Sequence, residues 1–246
     1  MVKGKPEAKS LENPAIITAN YMGNTVLFEK DGSLDYIEAE VERTGSFYEL
    51  ELLHDIWSRF LNGGTFIDVG AHIGNHSLFF SKVVKPDRVL SFEAQPGTYE
   101  KLLRNISIND LRPEDIKAFR SVVGSYDTKY ATLNQLHEGN PGATSVEFLR
   151  EKTKNSYKVY ALDDFDIKDV SLVKIDVEGA EVEVLKGAAR TILNFKPHIY
   201  VEAERENLRE VVGWMNARDY RLIRRFNHTP TYLFSHLGKP ALREFF

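Results

Sequence analysis

The residues best suited to chemistry stand in the run Asp68-Val69-Gly70-Ala71-His72-Ile73-Gly74-Asn75, between a short β-branched stretch and a segment able to open a helix. In a strand–turn–helix of this kind a ligand sits beyond the carboxyl end of the strand. Gly70 and Gly74 let backbone approach it, and the first helical N–H groups face it. A pyrophosphate is ordinarily held by G-x-G-x-x-G. Here the order is Asp-x-Gly-x-x-x-Gly, and a carboxylate opening the turn repels pyrophosphate but can hold an ammonium group, as in a cofactor built from methionine. Glu93 closes the next strand, where a carboxylate can accept both hydroxyls of a ribose. Asp68 with Glu93 favours S-adenosylmethionine, although Glu93 alone would serve NAD equally well.

A second set of charges lies further along, with Lys174, Asp176 and Glu178 around the end of one strand and Glu202 and Glu204 around the end of another. Alternation puts Lys174 with Asp176 on one strand face, and Glu202 with Glu204 likewise. An alcohol asked to act as a nucleophile needs a general base, worth about 10²- to 10⁴-fold, or a metal that acidifies it. Asp176 is the expected base or metal ligand and Glu202 its partner, with Lys174 orienting Asp176 or acidifying the acceptor. Hard oxygen ligands suit a divalent cation, magnesium or manganese, on Asp176 and Glu202, but no spacing enforces one. The competing reading leaves these charges as helix caps and solvated salt bridges. His72 and His76 stand at i and i+4 without the glutamate of H-E-x-x-H, so they read as packing or acceptor-side groups. His137, His228 and His236 are alternative bases.

The elements that must position these groups can be read from pattern. Thr65–Val69, Arg88–Phe92, Leu172–Asp176 and His198–Glu202 are short, buried-type strands. Helical stripes separate them: Tyr99, Leu102, Leu103 and Ile106 after Pro96, then Ala180, Val184, Ala188 and Ile192, then Leu208, Val211, Val212 and Met215. Strand and helix alternating in this way imply an α/β fold with a mostly parallel sheet and helices on both faces. Ahead of them, residues 15–41 read as strands and hairpins, followed by a helix on Leu50, Leu53, Trp57 and Phe60 with a glycine stop. Residues 124–160 read as a strand-rich excursion or lid with a turn at Gly139-Asn140-Pro141-Gly142. Residues 220–226 and 232–234 form a terminal antiparallel hairpin. The expected organisation is a disordered tail over 1–14, N-terminal strands and helix over 15–62 packed on the core, and one catalytic unit over 63–246.

Composition narrows the function classes. With 42% hydrophobic and 28% charged residues in 246, the chain is globular rather than fibrous or disordered. A net charge of −4 gives no basic excess for nucleic acid, so no nucleic-acid partner is expected. The absence of cysteine excludes disulfides, thiolate metal sites and a cysteine nucleophile. No run of about 18 apolar residues suggests a membrane span, and the polar, Lys-rich opening does not read as a secretory leader. The expected location is cytoplasmic.

Gly45-Ser46-Phe47-Tyr48-Glu49, the run from Phe66 to Asn75, Ser91-Phe92-Glu93, Leu102-Leu103-Arg104-Asn105, the run from Lys174 to Glu181, and Val184-Leu185-Lys186-Gly187-Ala188 together resemble the FkbM-type methyltransferases. The resemblance extends from about Gly45 to Phe234. It implies a Rossmann-like methyltransferase fold and S-adenosylmethionine-dependent methylation, mostly of hydroxyls, on sugars or natural products. It implies further that Asp68, Gly70 and Gly74 cradle the methionine part and Glu93 the ribose, with His72 and Asn75 also among the cofactor-binding residues. Ser121 and Val122 would lie near the adenine, and the segment ending in Glu49 would close over the cofactor or acceptor. His72 stands where the family commonly has Asn, and Ala94-Gln95 separate Glu93 from Pro96. The acceptor reads as a small molecule or a glycan sugar. The other readings are a nicotinamide-dependent oxidoreductase, an RNA ribose methyltransferase and a non-catalytic assembly module.

Overall fold

The computed structural model describes residues 15–30, 35–59, 63–135 and 144–238. The expected tail over 1–14, the turn at 139–142 and His137 lie outside them. The chain opens with an antiparallel hairpin, β1 (Ala15–Tyr21) and β2 (Asn24–Lys30), turning at Met22 and Gly23. Residues beyond it read as strand, but Tyr36–Thr44 is a helix, α1, because Asp35 caps it by accepting the Glu38 N–H and Gly45 ends it in the left-handed region. The Asp-x-x-Glu spacing of a helix start outweighs the local β-branched run. α2 (Leu50–Arg59) follows, burying Leu52, Leu53 and Ile56. Leu50, expected on the buried face, is exposed.

The core then alternates strand and helix. β3 (Thr65–Val69) leads into α3 (Asn75–Phe79), which continues as a π-helical turn over Phe80–Val84. β4 (Arg88–Glu93), α4 (Pro96–Ile108) and β5 (Ile116–Arg120) complete the first half. β6 (Val122–Val123), β7 (Tyr130–Gln135), β8 (Thr144–Leu149) and β9 (Tyr157–Tyr160) form a separate small sheet in the order β6-β9-β7-β8. The second half runs β10 (Val170–Ile175), α5 (Glu181–Gly187), α6 (Ala189–Phe195), β11 (His198–Glu202), α7 (Arg205–Asn216), β12 (Tyr220–Phe226) and β13 (Thr231–His236). The single stripe from Ala180 to Ile192 is therefore split between two helices that meet at Ala188.

The main sheet has the order β12-β13-β11-β10-β3-β4-β5. Its pairs from β11 through β5 are parallel, and β13 is antiparallel to both of its neighbours. The order reverses between β3 and β10, and such a switch point opens a crevice beyond the carboxyl ends of the strands. Ile67, Val173 and Ile199 face a core shared with α5, α6 and α7; Phe66, Leu172 and Tyr200 face the opposite core, shared with the N-terminal elements and α3. Burial on both faces explains why these strands read as continuous apolar runs.

α4 departs from its apolar stripe. Its buried residues are Thr98, Lys101, Leu102 and Asn105, while Leu103 is exposed. The reason is polar: Asn105 Oδ1 accepts the Glu29 N–H at 2.8 Å and Asn109 Oδ1 the Leu27 N–H at 2.9 Å, satisfying the free edge of β2. Asn105 also donates to the Ile73 carbonyl at 2.8 Å, tying the glycine turn to the same helix.

Candidate active site

A cavity of about 410 Å³ lies at the switch point, within the size range of small-molecule sites. Gly70, His72, Glu93, Ser121 and Val122 line it from the β3, β4 and β5 side. Asp176, Glu178 and Glu202 line it from the β10 and β11 side, with His228 and Thr229 from the terminal turn. Leu133, Thr144 and Val146 of the small sheet and Tyr36, Ile37 and Tyr48 of the N-terminal region complete it.

Gly70, at φ 81°, is required by contact as well as conformation. A Cβ there would stand 1.7 Å from the carbonyl oxygen of Asp176. Gly74, at φ 97°, is needed for a different reason than expected, since its Cβ would meet Leu102 Cδ1 at 2.7 Å. It serves helix packing and does not line the cavity.

Asp68 is fully buried and also lies off the cavity wall. Its Oδ2 accepts from Ser77 Oγ at 2.6 Å, and its Oδ1 lies 3.5 Å from Lys174 Nζ, the residue beside it in the β3–β10 register. Lys174 donates to Asp176 Oδ2 at 3.0 Å and to the Gly70 carbonyl at 3.3 Å. Burial favours a neutral amine, but Asp176, Asp68 and Glu49 outweigh it and raise the Lys174 pKa further above its ordinary value. Lys174 is thus a fixed cation behind the cavity wall that orients Asp176, and it meets the cavity lining through Asp176 and the Gly70 carbonyl.

Asn75 and Glu49 also stand behind the wall. Asn75 accepts the Tyr48 N–H at 3.1 Å and donates to the Tyr48 carbonyl at 3.0 Å, a two-point clamp on the backbone of a cavity residue. Glu49, at φ 56°, places Oε2 at 3.0 Å from His76 Nε2 and accepts from Asn227 Nδ2 at 2.6 Å. It thereby joins α2 and α3 to the turn that carries His228 and Thr229.

Glu93 is nine-tenths buried, and each of its oxygens accepts one backbone N–H, from His72 and from Gln95, both at 2.8 Å. Each oxygen keeps acceptor capacity toward the cavity. Burial raises its pKa despite those bonds and the nearby His72. His72 adopts φ 51° and places Nε2 at 3.1 Å from Asp35 Oδ2. Burial would lower the imidazole pKa, but Asp35, then Glu93 and Asp176, raise it overall. Its Nδ1 has no hydrogen-bond partner among the described residues.

The opposite wall is acidic. Burial first, then Asp176 and Glu49, push the Glu202 carboxyl up to about 10. Glu178, at φ 49°, is pushed up to about 7 by burial and by Asp176, Glu181 and Glu204. Glu204 itself is exposed at the start of α7, away from the cavity. Among the described residues no group of three or more His, Asp or Glu is arranged to hold a metal ion. Of the three alternative histidines, His228 lines the cavity; His236 instead accepts from the Gly238 N–H at 2.9 Å.

Tyr36, Ile37, Thr229 and Asp35 escaped the motif reading. Asp35 alone had a local signal, its Asp-x-x-Glu spacing to Glu38; the others reach the site only through packing.

The FkbM methyltransferase domain matches residues 68–222. Methyltransferase sdnD of Sordaria araneosa is 31% identical over 153 residues, covering 49% of this chain and 59% of that protein. Methyltransferase 1 of Beauveria bassiana (strain ARSEF 2860) is 27% identical over 143 residues, covering 49% and 57%. This chain therefore aligns with less than two thirds of the length of either. The solved FkbM methyltransferase from Methylobacillus flagellatus KT shares the fold, with a TM-score of 0.52 at 22% identity over 71% of this chain and 44% of that one. With the domain matched across the glycine turn, both acidic strand ends and α7, the chain belongs to the FkbM methyltransferase domain family.

Proposed function

We propose that the protein is an S-adenosylmethionine-dependent O-methyltransferase acting on a hydroxyl, and that the acceptor is a sugar of a glycan or glycoconjugate. The observation that carries this reading is one cavity with Gly70 and Glu93 on one wall and Asp176, Glu178 and Glu202 on the other. The residues fit the cofactor. Glu93 has acceptor capacity for two ribose hydroxyls, and Ser121 and Val122 lie beside it on the adenine side. His72 lines the same wall, and its buried Nδ1 has no hydrogen-bond partner among the described residues. Glu93 and Asp176 face the positive charge of the sulfonium and ammonium groups from the two walls.

When bound, S-adenosylmethionine supplies a methyl carbon on a good leaving group, so the protein's task is mainly alignment. Asp176 accepts the proton of the acceptor hydroxyl. Its Oδ2 is held by Lys174, which leaves Oδ1 as the accepting atom. Glu202, protonated near neutrality, donates its hydroxyl hydrogen to an acceptor oxygen and orients it. Two carboxyl groups thereby take two roles set by their surroundings. Leu133 and Val146, packed in one apolar cluster with Val122, close the cavity on that side and exclude water. A divalent cation, if bound, would take its oxygen ligands from Asp176 and Glu202 on the acidic wall. No helix among the described residues is long and apolar enough to cross a membrane. A small, diffusible or glycan-borne acceptor in the cytoplasm is the setting we infer.

Calorimetric titration with S-adenosylhomocysteine beside NAD tests the cofactor, with Glu93→Ala as control. Micromolar binding of the first ligand alone, lost in the variant, supports the reading; binding of NAD alone would replace it with the oxidoreductase. Transfer of a labelled methyl group to sugar hydroxyls in an acceptor panel, against RNA, tests the substrate class.

A further inference from the structure

The glycine turn does more than touch the cavity: two of its side chains reach away to hold the residues that cover it. Asn75 clamps the backbone of Tyr48 at both its N–H and its carbonyl. His72 pairs with Asp35, and Asp35 caps α1, whose first two residues, Tyr36 and Ile37, line the cavity. Tyr36 and Tyr48 meet edge to face, with ring centroids 5.7 Å apart. A second buried ion pair, Glu38 with Lys101, ties α1 to α4. The covering aromatic pair is thus suspended from the turn on one side and from α4 on the other.

Buried ion pairs contribute little net stability, because desolvation offsets their attraction, and one well-attested use is to fix one arrangement over another. Asp35 is 2% exposed and does not itself line the cavity. Its side chain joins the cap of a covering helix to the residue whose backbone N–H holds Glu93.

We infer that Asp35 and His72 are positioning residues which fasten α1 over the cofactor, so that Tyr36 and Ile37 form its roof only while this ion pair is in place. The inference rests on reading the cavity as the cofactor site. The groups facing His72 are Asp35 from the cap of α1, Glu93 from β4 and Asp176 beyond β10; Lys101 of α4 and the backbone N–H of Glu38 face Asp35, and the Glu38 carboxylate pairs with Lys101. Burial works against the charged form of both partners, yet the Asp35 pKa is lowered and that of His72 raised. The pair therefore holds between those two values, and it is lost as pH rises through that of His72.

The test uses the full chain, with Asp35→Asn as the main variant because asparagine caps a helix as well as aspartate and removes only the charge. Binding of S-adenosylhomocysteine is measured by calorimetry from pH 6 to 9, and amide hydrogen exchange of residues 36–44 is followed with and without ligand. Near pH 6 the variant should bind about 10-fold more weakly than wild type, within the coupling range of contacting residues. It should also lose the wild-type decline in affinity as pH rises through the raised pKa of His72, and ligand should slow exchange of residues 36–44 far more in wild type than in the variant. Equal affinity with the same pH profile would overturn the inference. Should the variant fail to fold, wild-type exchange of residues 36–44 must still accelerate with pH beyond the intrinsic base-catalysed rate; if it does not, the latch is absent. If wild type binds no S-adenosylhomocysteine, the cofactor reading fails by itself, and exchange of 36–44 in the free proteins then decides the latch, identical rates refuting it.

Discussion

Gly70 and Asp176 lie in contact across the switch point, so close that a Cβ on Gly70 would come within 1.7 Å of the Asp176 carbonyl oxygen. The two loops that carry the proposed cofactor and acceptor chemistry are therefore one packed unit. Disturbing either disturbs both.

Gly70→Ala should accordingly abolish ligand binding and destabilise the fold. The left-handed backbone alone costs a side chain about 1–3 kcal/mol, before the overlap with Asp176 is relieved. Thermal denaturation with and without S-adenosylhomocysteine checks this, the expected result being a lowered midpoint that ligand no longer raises.

Lys174 should tolerate no neutral replacement by itself. Lys174→Met leaves Asp68 buried beside no cation, an effect of about 3–5 kcal/mol for breaking a buried pair. Adding Asp68→Leu should restore part of that loss while leaving Asp176 without its orienting ammonium. Urea unfolding of the single and double variants, beside turnover, separates the structural role from the positioning one. If the double variant recovered full turnover, Lys174 would have no part in aligning Asp176.

Glu202 and Glu178 should make stability depend on pH in a defined direction. Both have raised pKa values, so their contribution is fully present below the ordinary carboxyl range and is lost as pH rises, through about 7 for Glu178 and about 10 for Glu202. Melting midpoints of wild type should fall from pH 6 to 10, and those of Glu178→Gln and Glu202→Gln should fall less over their own windows.

The same pair should register the charge of the bound cofactor. A sulfonium among these carboxyl groups favours their ionised forms, whereas the neutral thioether of the product does not. Calorimetry in buffers of different ionisation enthalpy should show more proton release for S-adenosylmethionine than for S-adenosylhomocysteine near pH 8. Glu202→Gln should reduce the difference.

Glu49, set behind the wall, should affect the acceptor more than the cofactor. Glu49→Ala removes the contacts to His76 and Asn227 that hold the terminal turn, so KM for the acceptor should rise several-fold while S-adenosylhomocysteine affinity changes little. Steady-state kinetics beside calorimetry would show this split.

The alternation of four core strands with helices, the terminal hairpin and the glycine turn were legible in the chain itself, because buried parallel strands and helix starts are set by local pattern and backbone preference; β5 and the break between α5 and α6 were not. So were Glu93, Asp176 and Glu202, since strand ends at a switch point converge whatever lies between them. Pattern failed where polar contacts replaced apolar ones. The inward Asn105 of α4 and its C-cap Asn109 answer the edge of β2, and α1 exists because Asp35 caps it. The sequence names Asp68, Asn75 and Glu49 as residues of the site, but only packing decides that they stand behind its wall, each satisfied by a partner far along the chain. Types and spacing along a strand determine which groups arrive at one edge of a sheet. Which of them face the ligand and which hold the others is decided by desolvation, because a buried charge must first find its partner.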